Sequence, residues 1–184
     1  MKKTTDNNPD EVVLINDDDQ VLGRMDKVSA HQGNGRLHRA VSVFLFDEQG
    51  EVLVQQRSEF KIVAANKWAN TACGNVRPGE TRIQCALRRL REELGIEQVE
   101  LEDLGKFQYR VSFDNGFSEK EIDAVFAGRW QGSPKPNPKE VRAVRWLDWE
   151  QLMRRAQGEQ WAPWLIHIFA QKKITKSLTH YSKT

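Results

Sequence analysis

One segment constrains this 184-residue chain more than any other: a short run of loop-type residues that enters a helix closed by a pair of glutamates. It begins Cys73-Gly74-Asn75-Val76-Arg77-Pro78-Gly79-Glu80 and ends Arg88-Arg89-Leu90-Arg91-Glu92-Glu93-Leu94-Gly95-Ile96. Between these ends Ile83, Leu87, Leu90 and Leu94 recur at three-to-four-residue spacing, which predicts a helix over 81–94. Gly95 follows where a helix stop needs a left-handed backbone. Glu80 before the helix and Glu92 and Glu93 at its end offer oxygen ligands to a hard cation such as Mg²⁺, which in turn holds phosphate oxygens. Arg88, four residues before Glu92, is placed to pair with it.

Around this segment, apolar or alternating runs at 11–15, 40–46, 52–56, 107–113, 122–127 and 141–147 read as strands. Asp47-Glu48-Gln49-Gly50 reads as a hairpin turn, and the stretch 132–138, with three prolines, as a loop. Further helices are expected over 149–157 and 163–171. This order predicts an α/β (α+β) architecture with a mixed sheet sandwiched between helices. The polar residues 1–10 read as a disordered tail and the basic, polar residues 172–184 as a second tail, leaving one domain over 11–171.

The 39% hydrophobic content can fill a single core without staples. Basic residues (28) nearly balance acidic ones (26), so no global field would hold the chain on nucleic acid or an anionic membrane. Any phosphate affinity must be local. The N-terminus has no apolar stretch that could act as a signal or a span, so the expected compartment is the cytoplasm. Cys73 and Cys85 are then expected to be free thiols.

The spacing Gly-x5-Glu-x7-Arg-x-Leu-x-Glu-Glu-x-Gly-Ile matches the Nudix box at Gly74, Glu80, Arg88, Leu90, Glu92, Glu93, Gly95 and Ile96. One position departs from it: the glutamate that follows the arginine in Nudix hydrolases is Arg89 here. With Cys73-Gly74 leading into the box, the chain resembles the type 1 isopentenyl diphosphate isomerases from about Val12 to Trp164. The resemblance implies a Nudix fold and a metal-dependent enzyme. Its substrate is a small prenyl diphosphate, whose double bond moves by protonation at one carbon and deprotonation at another, through a tertiary carbocation.

By that resemblance Cys73 and Glu121 form the acid–base pair, supported by Tyr109. Lys27, Arg57, Lys61 and Arg89 grip the diphosphate, Glu93 holds the Mg²⁺ that arrives with it, and Trp164 covers the hydrocarbon tail. Trp68 corresponds to a second tryptophan, for which a core role is an equal reading. An alkene is a weak base, so it must meet its acid in a dry, positioned site. Glu119 and Glu121 lie two apart in an expected strand and so share a face.

The resemblance places a second metal, Mn²⁺ (or Zn²⁺), on His31, His38, Glu119 and Glu121, with Asn75 where the family has a third histidine. An amide oxygen is harder and weaker than an imidazole, which shifts preference toward Mg²⁺ or Mn²⁺. Two other readings stand beside the isomerase: a Nudix hydrolase of another diphosphate, against which Arg89 argues, and a catalytically weakened diphosphate-binding relative, which Asn75 supports. Cys85 reads as packing.

Overall fold

A computed structural model describes residues 10–183. Along the chain the elements are β1 (Glu11–Ile15), β2 (Val21–Asp26), α1 (Lys27–His31), β3 (His38–Phe46), β4 (Val52–Arg57), β5 (Trp68–Ala69), β6 (Ala72–Asn75), α2 (Arg82–Leu94), β7 (Glu102–Ser112), β8 (Ser118–Arg129), β9 (Val141–Leu147), α3 (Trp149–Arg155), α4 (Trp164–Phe169) and α5 (Lys172–Tyr181). The strands form one mixed sheet, as the order of apolar runs predicts.

Strand β3 organises that sheet. It runs parallel to β8, with His38 opposite Glu121 and Ser42 opposite Val125. On its other side it runs antiparallel to β6, with Ala40 opposite Asn75 and Ser42 opposite Cys73. Strand β7 extends the sheet beyond β8, and Tyr109 faces Glu121 in that antiparallel register. The crossing of these three registers sets histidine, glutamate, cysteine and tyrosine side by side although they are far apart in sequence.

Side chains alternate across the sheet, and each face has its own core. Phe44, Phe46, Val52, Val54, Val125 and Ala127 pack under α3, α4 and α5 with Trp149, Leu165 and Leu178. Val41, Val43, Leu45, Leu53, Ala124 and Phe126 pack against Cys85, Ala86, Leu90 and Leu94 of α2. Helix α2 starts at a capping box, in which Thr81 accepts from the Gln84 N–H while the Gln84 side chain accepts from the Thr81 N–H. It ends at Gly95 with φ 67°, the left-handed stop expected there.

Three expectations change. Residues 172–181 are not a tail but helix α5, with Ile174 and Leu178 buried in the core. Residues 72–75 are not loop but strand β6, because β3 supplies the pairing that Cys-Gly-Asn would not support alone. Strand β2 and helix α1 also fall where no element is expected. The polar stretch 1–10 lies almost entirely outside the described residues. No helix among those residues is long and apolar enough to cross a membrane.

Candidate active site

The site is a cavity lined by α1, β3, β4, β6, α2, β7, β8 and the start of α4. Lys27, His31, Arg57, Lys61, Cys73, Asn75, Arg89, Tyr109, Glu119, Glu121 and Trp164 all border it. His38 and Glu93, both fully buried, and Trp68 are not in that lining; Trp68 lies tilted against Trp161 under the Arg145 guanidinium, which is 4.0 Å from its ring.

At one end two imidazoles meet a carboxylate. Helix α1 is fixed by Asp26, which accepts from the Ser29 N–H at 2.9 Å, and it carries Lys27 and His31 one turn apart. His31 Nδ1 donates to the Lys27 carbonyl at 2.7 Å and His38 Nδ1 to the Arg36 carbonyl at 2.7 Å. Both Nε2 atoms therefore face inward, the arrangement of a metal-ligating histidine. Burial and the neighbouring His38 hold the His31 pKa down at about 4, so it is neutral at physiological pH.

His38 Nε2 and Glu121 Oε1 lie within hydrogen-bond distance, 3.1 Å apart. The Asn75 amide closes the triangle: its Nδ2 lies 3.0 Å from His38 Nε2 and donates to Glu121 Oε1 at 2.9 Å. The ligand atoms of His31, His38 and Glu121 all lie within 4.8 Å of one another, so the donor set and its geometry fit a divalent cation.

Glu119 stands apart from that convergence. Its carboxyl meets the Tyr109 hydroxyl, which lies 3.0 Å from Glu119 Oε2 and donates to Glu121 Oε2 at 2.6 Å. Burial and the adjacent Glu121 raise the Glu119 pKa well above the carboxylate range. Burial would raise Glu121 as well, but hydrogen bonding to His38 and Tyr109 and the charge field of the histidines bring it to about 2. The Tyr109 hydroxyl thus bridges the two carboxyl groups, and Glu119 is the more readily protonated of the pair. One step further along β8, Asp123 is buried, accepts from Ser42 Oγ at 2.7 Å and is also pushed up by burial.

Cys73 lies between the two ends of the cavity. Burial pushes its thiol up to about 11, so it carries its proton, and Arg57 Nη1 lies 3.3 Å from its sulfur. Arg57 is held by the Val63 carbonyl at 3.0 Å and stacks on Trp164, its guanidinium 5.1 Å from the ring. The buried Trp164 donates to Asn70 Oδ1 at 2.9 Å, which fixes its plane. Cys85 is buried on α2, as a packing residue should be.

The cationic end combines Lys27, Arg57, Lys61 and Arg89. Burial lowers the Lys27 pKa to about 8, helped by Arg89, Lys61 and Arg57, so these positive charges crowd one another. Arg89 reaches the cavity past Gly74, where an added Cβ would sit 2.7 Å from its Cγ and Cδ. Arg89 also pairs with Glu92 at 2.8 Å and with Glu93.

Glu80, Glu92 and Glu93 do not converge on one cation, as their order along the chain suggests. Arg88 binds Glu80 at 2.6 Å and Glu92 at 3.0 Å, and Glu93 is taken by Arg89, Lys61 and Gln55. Glu140, far along the chain, also contacts Lys61 and Arg89. Nothing in its local sequence marks it.

The NUDIX domain family matches residues 36–168. An isopentenyl-diphosphate Delta-isomerase 2 of Aromatoleum aromaticum is 39% identical over 85% of this chain and 82% of its own length. An isopentenyl-diphosphate Delta-isomerase of Serratia proteamaculans is 36% identical over 85% of this chain and 88% of its own. A crystal structure of a Deinococcus radiodurans protein superposes with a TM-score of 0.72 at 27% identity, covering 88% of this chain and 98% of that one. A fold of this topology, and identity of this extent to named isomerases, place the chain in the isopentenyl-diphosphate Delta-isomerase family, on a Nudix fold.

Proposed function

We propose that this protein interconverts isopentenyl diphosphate and dimethylallyl diphosphate, with Cys73 and Glu121 as the proton-transfer pair. The observation that carries the reading is the convergence of Cys73, Glu121 and a group of cations on one cavity, where burial raises the thiol pKa and hydrogen bonding lowers that of the carboxylate.

Lys27, Arg57, Lys61 and Arg89 would take the diphosphate, and their common location fixes its register. The hydrocarbon part then lies toward Trp164 and Tyr109. In one direction Cys73 gives its proton to the terminal alkene carbon, the positive charge develops on the tertiary carbon, and Glu121 removes a proton from the other side. The thiolate left behind is stabilised by Arg57. Because the reaction is reversible, each group is donor in one direction and acceptor in the other.

Tyr109 and Glu119 hold Glu121 in place and can return its proton. The ring of Trp164 faces the carbocation and excludes the water that would quench it. His31, His38 and Glu121 would hold a divalent cation, with Asn75 turning its amide oxygen inward; Mg²⁺ or Mn²⁺ suits an amide oxygen better than Zn²⁺ does. That cation would hold the Glu121 carboxylate in one orientation. A second Mg²⁺ would arrive with the substrate near Glu93. Two free cysteines, one of them a proposed acid, suit a reducing cytoplasm.

The test is incubation with isopentenyl diphosphate in heavy water containing Mg²⁺ and Mn²⁺, followed by NMR. Deuterated dimethylallyl diphosphate should appear, and should be lost in Cys73→Ala and Glu121→Gln. Unchanged, unlabelled substrate would refute isomerisation of this compound, and released phosphate or pyrophosphate would identify a hydrolase instead.

A further inference from the structure

We propose that Glu140 is a specificity-determining residue of the diphosphate subsite: it makes the Lys61–Arg89 pair accept a diphosphate that carries a divalent cation and reject the bare anion. The inference rests on the diphosphate reading above and extends it to a residue outside the helical motif.

Glu140 is held in place at its backbone. Its N–H donates to the Asn137 carbonyl at 2.9 Å and its carbonyl accepts from the Ser58 N–H at 3.0 Å. The same turn is strapped to the end of α2, where the Asn137 N–H donates to the Glu93 carbonyl at 2.9 Å and the Lys135 N–H to the Leu94 carbonyl at 2.7 Å. Ser58 Oγ adds a hydrogen bond to the Lys139 carbonyl at 2.7 Å. Such a carboxylate is aimed by the fold rather than swinging from the surface.

Its target is the cation pair. Glu140 Oε2 accepts from Arg89 Nη2 at 2.7 Å and from Lys61 Nζ. Glu93 Oε1 accepts from the same two nitrogens, with Lys61 at 3.3 Å. Burial would raise the Glu140 pKa, but Arg89 and Lys61 bring it below the usual value, so it is ionised. Two carboxylates therefore already neutralise two of the four cations.

A bare diphosphate drawn to Lys61 and Arg89 meets both carboxylates, and the like charges repel in a partly desolvated space. A divalent cation relieves this, because it accepts carboxylate oxygens on one side and phosphate oxygens on the other. An independent observation points to the same spot. Gln55 donates its Nε2 to Glu93 Oε2 at 2.6 Å, while its own buried Oε1 has no hydrogen-bond partner among the described residues. A hydrated cation beside Glu93 would supply the missing donor.

Calorimetric titration with inorganic pyrophosphate tests the role, on the native protein and on Glu140→Gln and Glu140→Asp, each with Mg²⁺ and with a chelator. The native protein should bind pyrophosphate much more tightly with Mg²⁺. In Glu140→Gln the bare anion should bind better and the Mg²⁺ enhancement should shrink on the order of tenfold. Glu140→Asp, which keeps the charge, should retain the enhancement. An unchanged enhancement in Glu140→Gln, or the same loss in Glu140→Asp, would overturn the role. If no form binds pyrophosphate under any condition, the diphosphate reading itself fails, and this role with it.

Discussion

Replacing Asn75 by histidine should convert a weak, oxygen-favouring metal site into one that holds Zn²⁺ tightly. The size of the effect follows from the two hydrogen bonds that occupy the metal's place. Asn75 Nδ2 lies 3.0 Å from His38 Nε2 and 2.9 Å from the Glu121 carboxylate. A neutral hydrogen bond contributes about 1 kcal/mol and a charged one about 1.5–3 kcal/mol, so a cation must displace roughly 3 kcal/mol of existing interaction. At about 1.4 kcal/mol per decade, that corresponds to a loss of about 100-fold in metal affinity. An imidazole at this position removes the competing donor and adds a softer ligand, so Asn75→His should raise Zn²⁺ affinity on the order of 100-fold. Mg²⁺ affinity should change far less. Competition against a chromophoric zinc chelator measures the first, and calorimetry the second. Asn75→Ala, which removes the donor without adding a ligand, should fall between native and Asn75→His. If Asn75→His folds with an unchanged melting temperature and binds Zn²⁺ no better than the native protein, the assignment of His31, His38 and Glu121 as a metal site is wrong.

Two further outcomes bear on the cation cluster and on the fold. Lys27, with its pKa lowered to about 8, is charged below that pH and loses its charge as pH rises through it. The value of kcat/KM, which reports the free enzyme, should therefore fall above about pH 8. Lys27→Arg should abolish that alkaline limb, because a guanidinium stays charged; a limb that persists unchanged excludes Lys27 as its source. Leu178 is fully buried in the core where α5 packs on β7, β8 and α4. Leu178→Ala should cost about 2–5 kcal/mol, read as a shift of the denaturant midpoint, whereas no shift would mean that α5 is not docked in solution.

What was legible in the sequence follows the range of the interaction that fixes each part. Helix α2, its capping residues and its glycine stop are determined within a few residues, and so is the order of the buried strands. Helix α5 was not legible because Ile174 and Leu178 form a single apolar pair among lysines and threonines, and only docking onto Phe46, Trp149 and their neighbours turns that pair into core. Strand β2 is exposed along nearly its whole length and is held by main-chain pairing to β1, so it carries no burial pattern to read. In the site, Gly74, Glu80, Arg88, Glu92 and Glu93 are marked by the helical motif itself, whereas Lys27, His31, His38, Arg57, Lys61, Tyr109, Glu121 and Trp164 were reached only through resemblance. Glu140 and Asp123 were missed because each owes its position to strand register or loop strapping across many tens of residues.

On the proposed reading, the departure at Arg89 is what turns the same helix to different chemistry. A glutamate at this position would add a third carboxylate beside Glu92 and Glu93, a set that gathers metal and activates water. Arg89 instead binds Glu92 at 2.8 Å and Glu93 and Glu140 as well, so the carboxylates at the helix end are spent on an arginine. Its guanidinium reaches the cavity only because Gly74 leaves the path open: a Cβ there would lie 2.7 Å from two carbons of the Arg89 side chain. The glycine before the helix and the arginine within it therefore depend on one another. On the proposed reading, the two together replace a water-activating carboxylate cluster with a cation for the diphosphate, beside a thiol that burial keeps protonated.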